Sequence, residues 1–264
     1  MNDSVRLDID DRGVARVTMH RPDRHNAFDA AMIAALDTTF TSLEAADDIR
    51  VIVLTGSGPT FCSGADLTHM RAMLGATEHE NYEDALGLAR LLRRLADLGK
   101  PFVARINGNA FGGAIGLIAC ADIAVATTTA RLALSEIRLG LVPATISPYV
   151  LEAIGMRAMQ RLTLTGERFT SEAAAALGLV HVVVEPVELD AAVEQQIAWL
   201  LAGAPGAQRE AKRLLRRLRG LDRSVRDERE IHTARLLAQI RVGAEAQEGM
   251  SAFLDKRKPR WMRG

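Results

Sequence analysis

Two short stretches carry glycines where a chain could build a catalytic pocket: SGADL at 63–67 and FGGAIGL at 111–117. Each follows a strand-like run and leads into a helix, with the backbone turning tightly between them. A helix start leaves N–H groups without intrahelical acceptors and carries a partial positive charge. Two such starts facing one another make a two-donor pocket for a single oxygen, an oxyanion hole for a carbonyl that becomes negative in a transition state. Glycine suits such turns because a bare Cα lets a ligand approach the backbone closely. Taken singly, either junction also reads as an ordinary turn and helix cap. Neither is a phosphate loop, since G-x-x-x-x-G-K-[ST] is absent and no G-x-G-x-x-G occurs here.

Gly116 raises a separate question. It lies within the apolar run after the glycine pair, where a helical glycine costs roughly 1 kcal/mol relative to alanine. Either a ligand needs the space that a side chain would take, or a neighbouring helix packs there.

These stretches need elements to hold them. VRLDI (5–9) and VARVTMH (14–20) read as two strands joined by a tight turn at DDRG. The loop RPDRHNAFD (21–29) ends at Asp29, an N-cap for a helix to about Glu44. IRVIVLTG (49–56) is a buried strand, followed by a glycine-rich loop (56–67). Residues 77–99 have apolar positions at helical spacing and stop at Gly99. PFVARING (101–108), IAVAT (123–127), RLALS (131–135) and VHVVV (180–184) are strand-like; SPYVLEAIG, the segment after Met156, and SEAAAALG (171–178) are helical. From Glu188 the pattern is helical almost throughout. Strands alternating with helices, then helices alone, predict an α/β core with a helical C-terminal region.

Composition narrows the classes. Lys+Arg and Asp+Glu are both 33, which argues against a dedicated nucleic-acid binder. Two cysteines, Cys62 and Cys120, make neither a disulfide framework nor a metal set at ligand spacing, and read as buried small hydrophobes. The opening MNDSVRLDID is polar and acidic, unlike a signal peptide, and no apolar run is long enough to span a membrane. A reducing, cytoplasmic setting is expected.

FCSGADL (61–67), NGNAFGGAIGL (107–117), LALSEIRLGLVP (132–143), LTGERFTSEAAAALGLVHVVV (164–184) and EGMSAFLDKRKP (248–259) together resemble the crotonase superfamily, the enoyl-CoA hydratase/isomerase group. The resemblance covers nearly the whole chain in the family's order. It implies an α/β fold, a spiral of ββα units over residues 1–200. A helical C-terminal region, 201–264, would pack subunits into homotrimers, often paired as hexamers. It implies acyl-CoA thioester substrates, with no metal and no cofactor beyond the coenzyme A of the substrate. By motif, the oxyanion donors are the backbone N–H groups of Ala65 and Gly113. Arg24, Ala27, Ala65, Asp66, Leu67 and Thr68 would lie along coenzyme A, and Phe253 and Lys256 match positions that contact it.

Typical hydratases of the group carry two glutamates. The position of the first is Gly116 here, and that of the second is Glu136. Read alone, Glu136 and Arg138 could be a solvated charge pair; within the family, Glu136 is the acid/base at an apolar strand end, where a carboxyl can have a raised pKa. One carboxyl suffices to move a proton between carbons. Hydration also needs an activated water, supplied by Glu136 alone, by a group from 69–83 (His69, Glu78, His79, Tyr82 or Glu83), or by a substrate carboxylate. SEIRLGLVPATISPYV (135–150), with AFGGAIGLIACAD, resembles the bacterial methylglutaconyl-CoA hydratase branch. On that resemblance, Gly116 leaves room for a branched or carboxylated acyl group. A buried carboxylate needs a partner, and Arg71, just past SGADL on the helix expected to line the pocket, is the first candidate, although read alone it is a surface residue. Two alternatives stay open: an enoyl-CoA isomerase using Glu136 alone, and an RNA-binding protein using the basic stretches 208–220 and 255–264, which also read as a solvated helix face and a tail near coenzyme A phosphates.

Overall fold

The computed structural model describes residues 4–220 and 223–262. Strands β1 (Val5–Ile9) and β2 (Val14–Met19) form the antiparallel hairpin, with Val5 opposite Met19. From β2 the sheet continues in parallel through β3 (Val51–Gly56), β5 (Phe102–Ile106), β7 (Ile123–Thr127) and β10 (Val182–Val184). Every residue of β3 is buried, because layers cover both faces of this sheet; hence its unbroken apolar run. Asp29 caps α1 (Ala30–Ala45), its carboxylate accepting from the Met32 N–H at 2.9 Å.

A second, smaller sheet is made of β4 (Thr60–Cys62), β6 (Asn109–Phe111), β8 (Arg131–Ala133) and β9 (Phe169–Thr170). The strand at 60–62 falls within the stretch expected as a glycine-rich loop, and the one at 109–111 follows the expected strand 101–108; three residues are too few to show alternation. These strands dispose the site. Three strands of the main sheet each feed one strand of the small sheet and then a helix or helical turn: β3, β4 and α2 (Leu67–Met73); β5, β6 and α4 (Gly113–Ala119); β7, β8 and a 3-10 turn at Glu136–Leu139. β4, β6 and β8 are parallel neighbours, with Thr60 beside Asn109 and Phe111 beside Ala133. Their C-terminal ends therefore emerge side by side, bringing 63–65, 112–113 and 134–136 together. A spiral of ββα units is thus what forms.

The long helix α3 (Glu78–Asp97) starts at a Thr77–Glu80 capping box. The two helices expected around Met156 join as α5 (Ser147–Thr165), broken where Gly155 leaves helical geometry at φ 74°. α6 (Ser171–Ala176) and α7 (Leu189–Ala202) precede the C-terminal helices α8 (Pro205–Leu218), α9 (Arg223–Arg241) and α10 (Ala244–Leu254). The last two fold back on the core: Ala234, Leu237, Ala246 and Met250 share one buried apolar cluster with Met70, Ala85 and Leu86 of α2 and α3. Among the described residues no helix is long and apolar enough to cross a membrane.

Candidate active site

The three chain ends open into a cavity of about 460 Å³, within the range that takes a small ligand. Ala27, Ala65, Gly113 and Glu136 all line it.

Ala65 is held by an extended bridge to Phe28. The Phe28 N–H donates to the Gly64 carbonyl at 2.9 Å, and the Asp66 N–H donates to the Phe28 carbonyl at 3.0 Å. In extended chain successive N–H groups point to opposite sides, so that of Ala65 turns away from Phe28. Gly113 is the first residue of α4, where an N–H has no intrahelical acceptor. Among the described residues neither N–H has a backbone partner. Gly112, before it, has φ 57° and ψ −126°, a conformation suited to glycine alone. Its N–H donates to the Ala133 carbonyl at 3.0 Å, which ties the second chain end to the third.

Glu136 opens the 3-10 turn after β8. A Cβ on Gly112 would stand 3.3 Å from its Oε1, so the carboxyl lies directly against this turn. Oε2 is buried without a hydrogen-bond partner. Burial pushes the Glu136 pKa up to about 7, with one backbone hydrogen bond opposing it. No ion pair forms between Glu136 and Arg138 among the described residues, so the solvated-pair reading does not hold. A carboxyl with pKa near 7 beside two free N–H groups can take and return a proton next to a polarised carbonyl.

The mouth is built on Arg21, a residue sequence reasoning did not single out. Its guanidinium donates to Asp66 at 2.9 Å and to the Ala27 carbonyl at 2.8 Å, and pairs with Asp29 at 3.0 Å. Asp66 caps α2, accepting from the N–H groups of Thr68 at 2.8 Å and His69 at 3.2 Å. Burial pushes the Asp66 carboxyl up, but those N–H groups with Arg21 and Arg24 outweigh it and hold it below the usual carboxylate range. Asp66 thus lines the cavity with its side chain already committed to shaping the loop. Arg24, Leu67 and Phe253 line the mouth and are about half exposed. Arg24 donates to the Thr68 hydroxyl at 3.3 Å; Thr68 lies behind it, outside the lining. Lys256 lies outside the lining too, exposed at φ 53° just past α10.

Three expectations are corrected. The room at Gly116 does not exist: a Cβ there would stand 2.4 Å from Ile146 Cγ2 and 3.1 Å from Leu92 Cδ2. Ile146, at the start of α5, fills the place, and it is Ile146 that lines the cavity. Gly116 is a helix-packing glycine. Arg71 is exposed and outside the lining; from α2 it is Leu67 and Met70 that line the cavity. Nor does His69, Glu78, His79, Tyr82 or Glu83 line the cavity. His69 instead pairs its Nε2 with Asp84 Oδ1 at 2.6 Å.

The lining also holds residues the sequence reading passed over: Phe28, Met70, Leu141, Thr145, and from α9 Leu237 and Arg241. The cysteines are buried and unpaired, and burial pushes the Cys62 thiol up to about 12, away from thiolate chemistry. The basic stretch 208–220 is largely occupied within the fold. Lys212 pairs with Asp122, Arg216 donates to the carbonyls of Ala96 and Leu98, and Arg219 pairs with Glu152. In the tail, Arg257 pairs with Glu248 at 2.6 Å, and the final two residues lie outside the described ones.

A family model described as enoyl-CoA hydratase/isomerase matches residues 10–264. An enoyl-CoA hydratase of Alternaria alternata is 34% identical over 257 residues, covering 94% of this chain and 81% of that protein. The 1,2-epoxyphenylacetyl-CoA isomerase of Escherichia coli K12 is 33% identical, covering 95% of each. Among solved structures, an enoyl-CoA hydratase from Shewanella pealeana superposes with a TM-score of 0.80 at 39% identity, covering 98% of this chain and 96% of that one.

Proposed function

This chain belongs to the enoyl-CoA hydratase/isomerase family, and from that premise we propose that it adds water to an α,β-unsaturated acyl-CoA thioester. The thioester oxygen sits between the N–H groups of Ala65 and Gly113, which stabilise the enolate as it forms. The Glu136 carboxylate takes a proton from water as the oxygen attacks C3, and returns a proton to C2. Coenzyme A arrives with the substrate and runs past Arg24, Leu67 and Phe253, and the step calls on no metal or further cofactor. The acyl group favoured by the 135–150 stretch is a 3-methylglutaconyl-type group. The observation that carries the reading is the buried, unpartnered Glu136 carboxyl lying against the Gly112–Gly113 turn.

One observation favours a second reading. With Ile146 filling the space beside Gly116, Glu136 is the one carboxyl deep in the cavity among the described residues, and one carboxyl is what an enoyl-CoA isomerase needs. Both readings are tested by a panel of crotonyl-CoA, 3-methylglutaconyl-CoA and a 3-enoyl-CoA, followed by conjugated-thioester absorbance across pH. Hydration removes the absorbance of the first two; isomerisation creates it from the third. Glu136 must be ionised to take a proton from water. kcat/KM for hydration therefore rises with pH through about 7, and that for dehydration rises through the same value, because the same carboxylate must take the C2 proton in reverse and no net proton is consumed. A hydration profile flat between pH 6 and 8 (roughly one unit either side of that pKa) would remove Glu136 from the base role.

A further inference from the structure

We propose that Arg241 recognises the far end of the acyl group, and that it takes a carboxylate there; the proposal rests on the acyl-thioester reading of this cavity. Leu237 and Arg241 are four apart on α9, hence on one face, and both line the cavity with Met70, Leu141 and Val142. This part of the wall is apolar apart from the guanidinium. The side chain of Arg241 is only 15% exposed. The other lining arginine, Arg24, stands half exposed at the mouth beside Asp66.

The arginine is held rather than consumed. One guanidinium nitrogen donates to Asp84 Oδ2, and no other side-chain donor of Arg241 has a partner among the described residues. Asp84 is itself 11% exposed, and its second oxygen is taken by His69. Burial pushes the Asp84 carboxyl up, but His69 and Arg241 outweigh it and hold it below the usual range. Asp84 therefore stays ionised, fixes the orientation of the guanidinium, and has no oxygen to spare. A desolvated cation with free N–H groups beside an apolar wall is costly unless an acceptor meets it. A planar carboxylate fits two parallel N–H donors better than any neutral acyl end. Crotonyl-type chains would leave those donors unmet.

Binding of saturated thioesters tests this without relying on turnover. Glutaryl-CoA and valeryl-CoA have acyl chains of equal length, one ending in a carboxylate and one in a methyl group. By calorimetry, Arg241→Met should weaken glutaryl-CoA by roughly 10- to 100-fold and change valeryl-CoA by less than about threefold. Arg241→Lys, which keeps the charge and loses the fork, should fall between and serves where the methionine variant does not fold. Equal weakening of both thioesters, or no change in their ratio, overturns the proposal and leaves Arg241 as a tie between α9 and α3. If wild-type protein binds both thioesters but turns over no enoyl-CoA, the hydratase reading fails while the binding ratio still decides the role of Arg241.

Discussion

Replacing Glu136 by glutamine lowers kcat by about 100-fold or more and leaves the affinity for a saturated acyl-CoA nearly unchanged. The amide keeps the shape and removes the titration. General acid–base help contributes typically ~10²–10⁴-fold, and no second carboxyl lies deep in this cavity among the described residues to take over. A proton that Glu136 transfers in the transition state appears in kcat; a contact it made equally to substrate and transition state would appear in KM. Stability gives an independent check. The folded pKa of Glu136 is raised from 4.5 to about 7, so its contribution is fully present below about pH 4.5 and is lost as pH rises through 7. The glutamine variant should therefore gain on wild type in Tm as pH rises from 6 to 8 (about one unit either side of the shifted pKa). Near wild-type turnover with the same pH profile would assign the proton transfer to another group.

Replacing Gly113 by valine abolishes measurable turnover. The Gly113 N–H is proposed to be one of two donors to the thioester oxygen, and losing one such donor costs about 10²–10³-fold. Steric displacement adds to that. A Cβ at Gly113 would stand 2.5 Å from Phe28 Cζ and 3.5 Å from Leu88 Cδ2, so the ring must move. Phe28 is also the residue whose backbone pins Gly64 and Asp66 on either side of Ala65. One substitution thus disturbs both donors. A valine variant with wild-type kcat would show that the carbonyl does not sit at this turn.

The parts of the site legible in sequence were those whose residue types are forced by backbone geometry or chemistry. Gly112 and Gly113 are such a case, since one needs φ 57° and the other a bare Cα against Phe28. Glu136 is another, as a carboxyl at an apolar strand end. What stayed hidden depends on tertiary approach. Ile146 meets Gly116 only because α5 crosses α4, and Gly116 by itself is equally consistent with an open pocket and a filled one. For a similar reason Arg71, expected on the pocket wall, lies outside it, while Arg241 lines it. A seven-residue α2 shows too little periodicity to say which face turns inward, and α9 reaches the cavity from the far end of the chain. Of the small sheet only β8 lies in a run that reads as a strand, 131–135, because β4, β6 and β9 have two or three residues, yet the parallel register of β4, β6 and β8 is what aligns the three chain ends.

The most direct test of the account is the mass of the thioester formed from 3-methylglutaconyl-CoA and from crotonyl-CoA by wild-type protein in ordinary and ¹⁸O-labelled water. The account predicts a 3-hydroxyacyl-CoA heavier by one water, carrying the label from labelled water, and formed at least 100-fold more slowly by Glu136→Gln, within the ~10²–10⁴-fold range for an acid–base group. A product of unchanged mass with a shifted double bond, or label incorporation at the same rate in the glutamine variant, would contradict it.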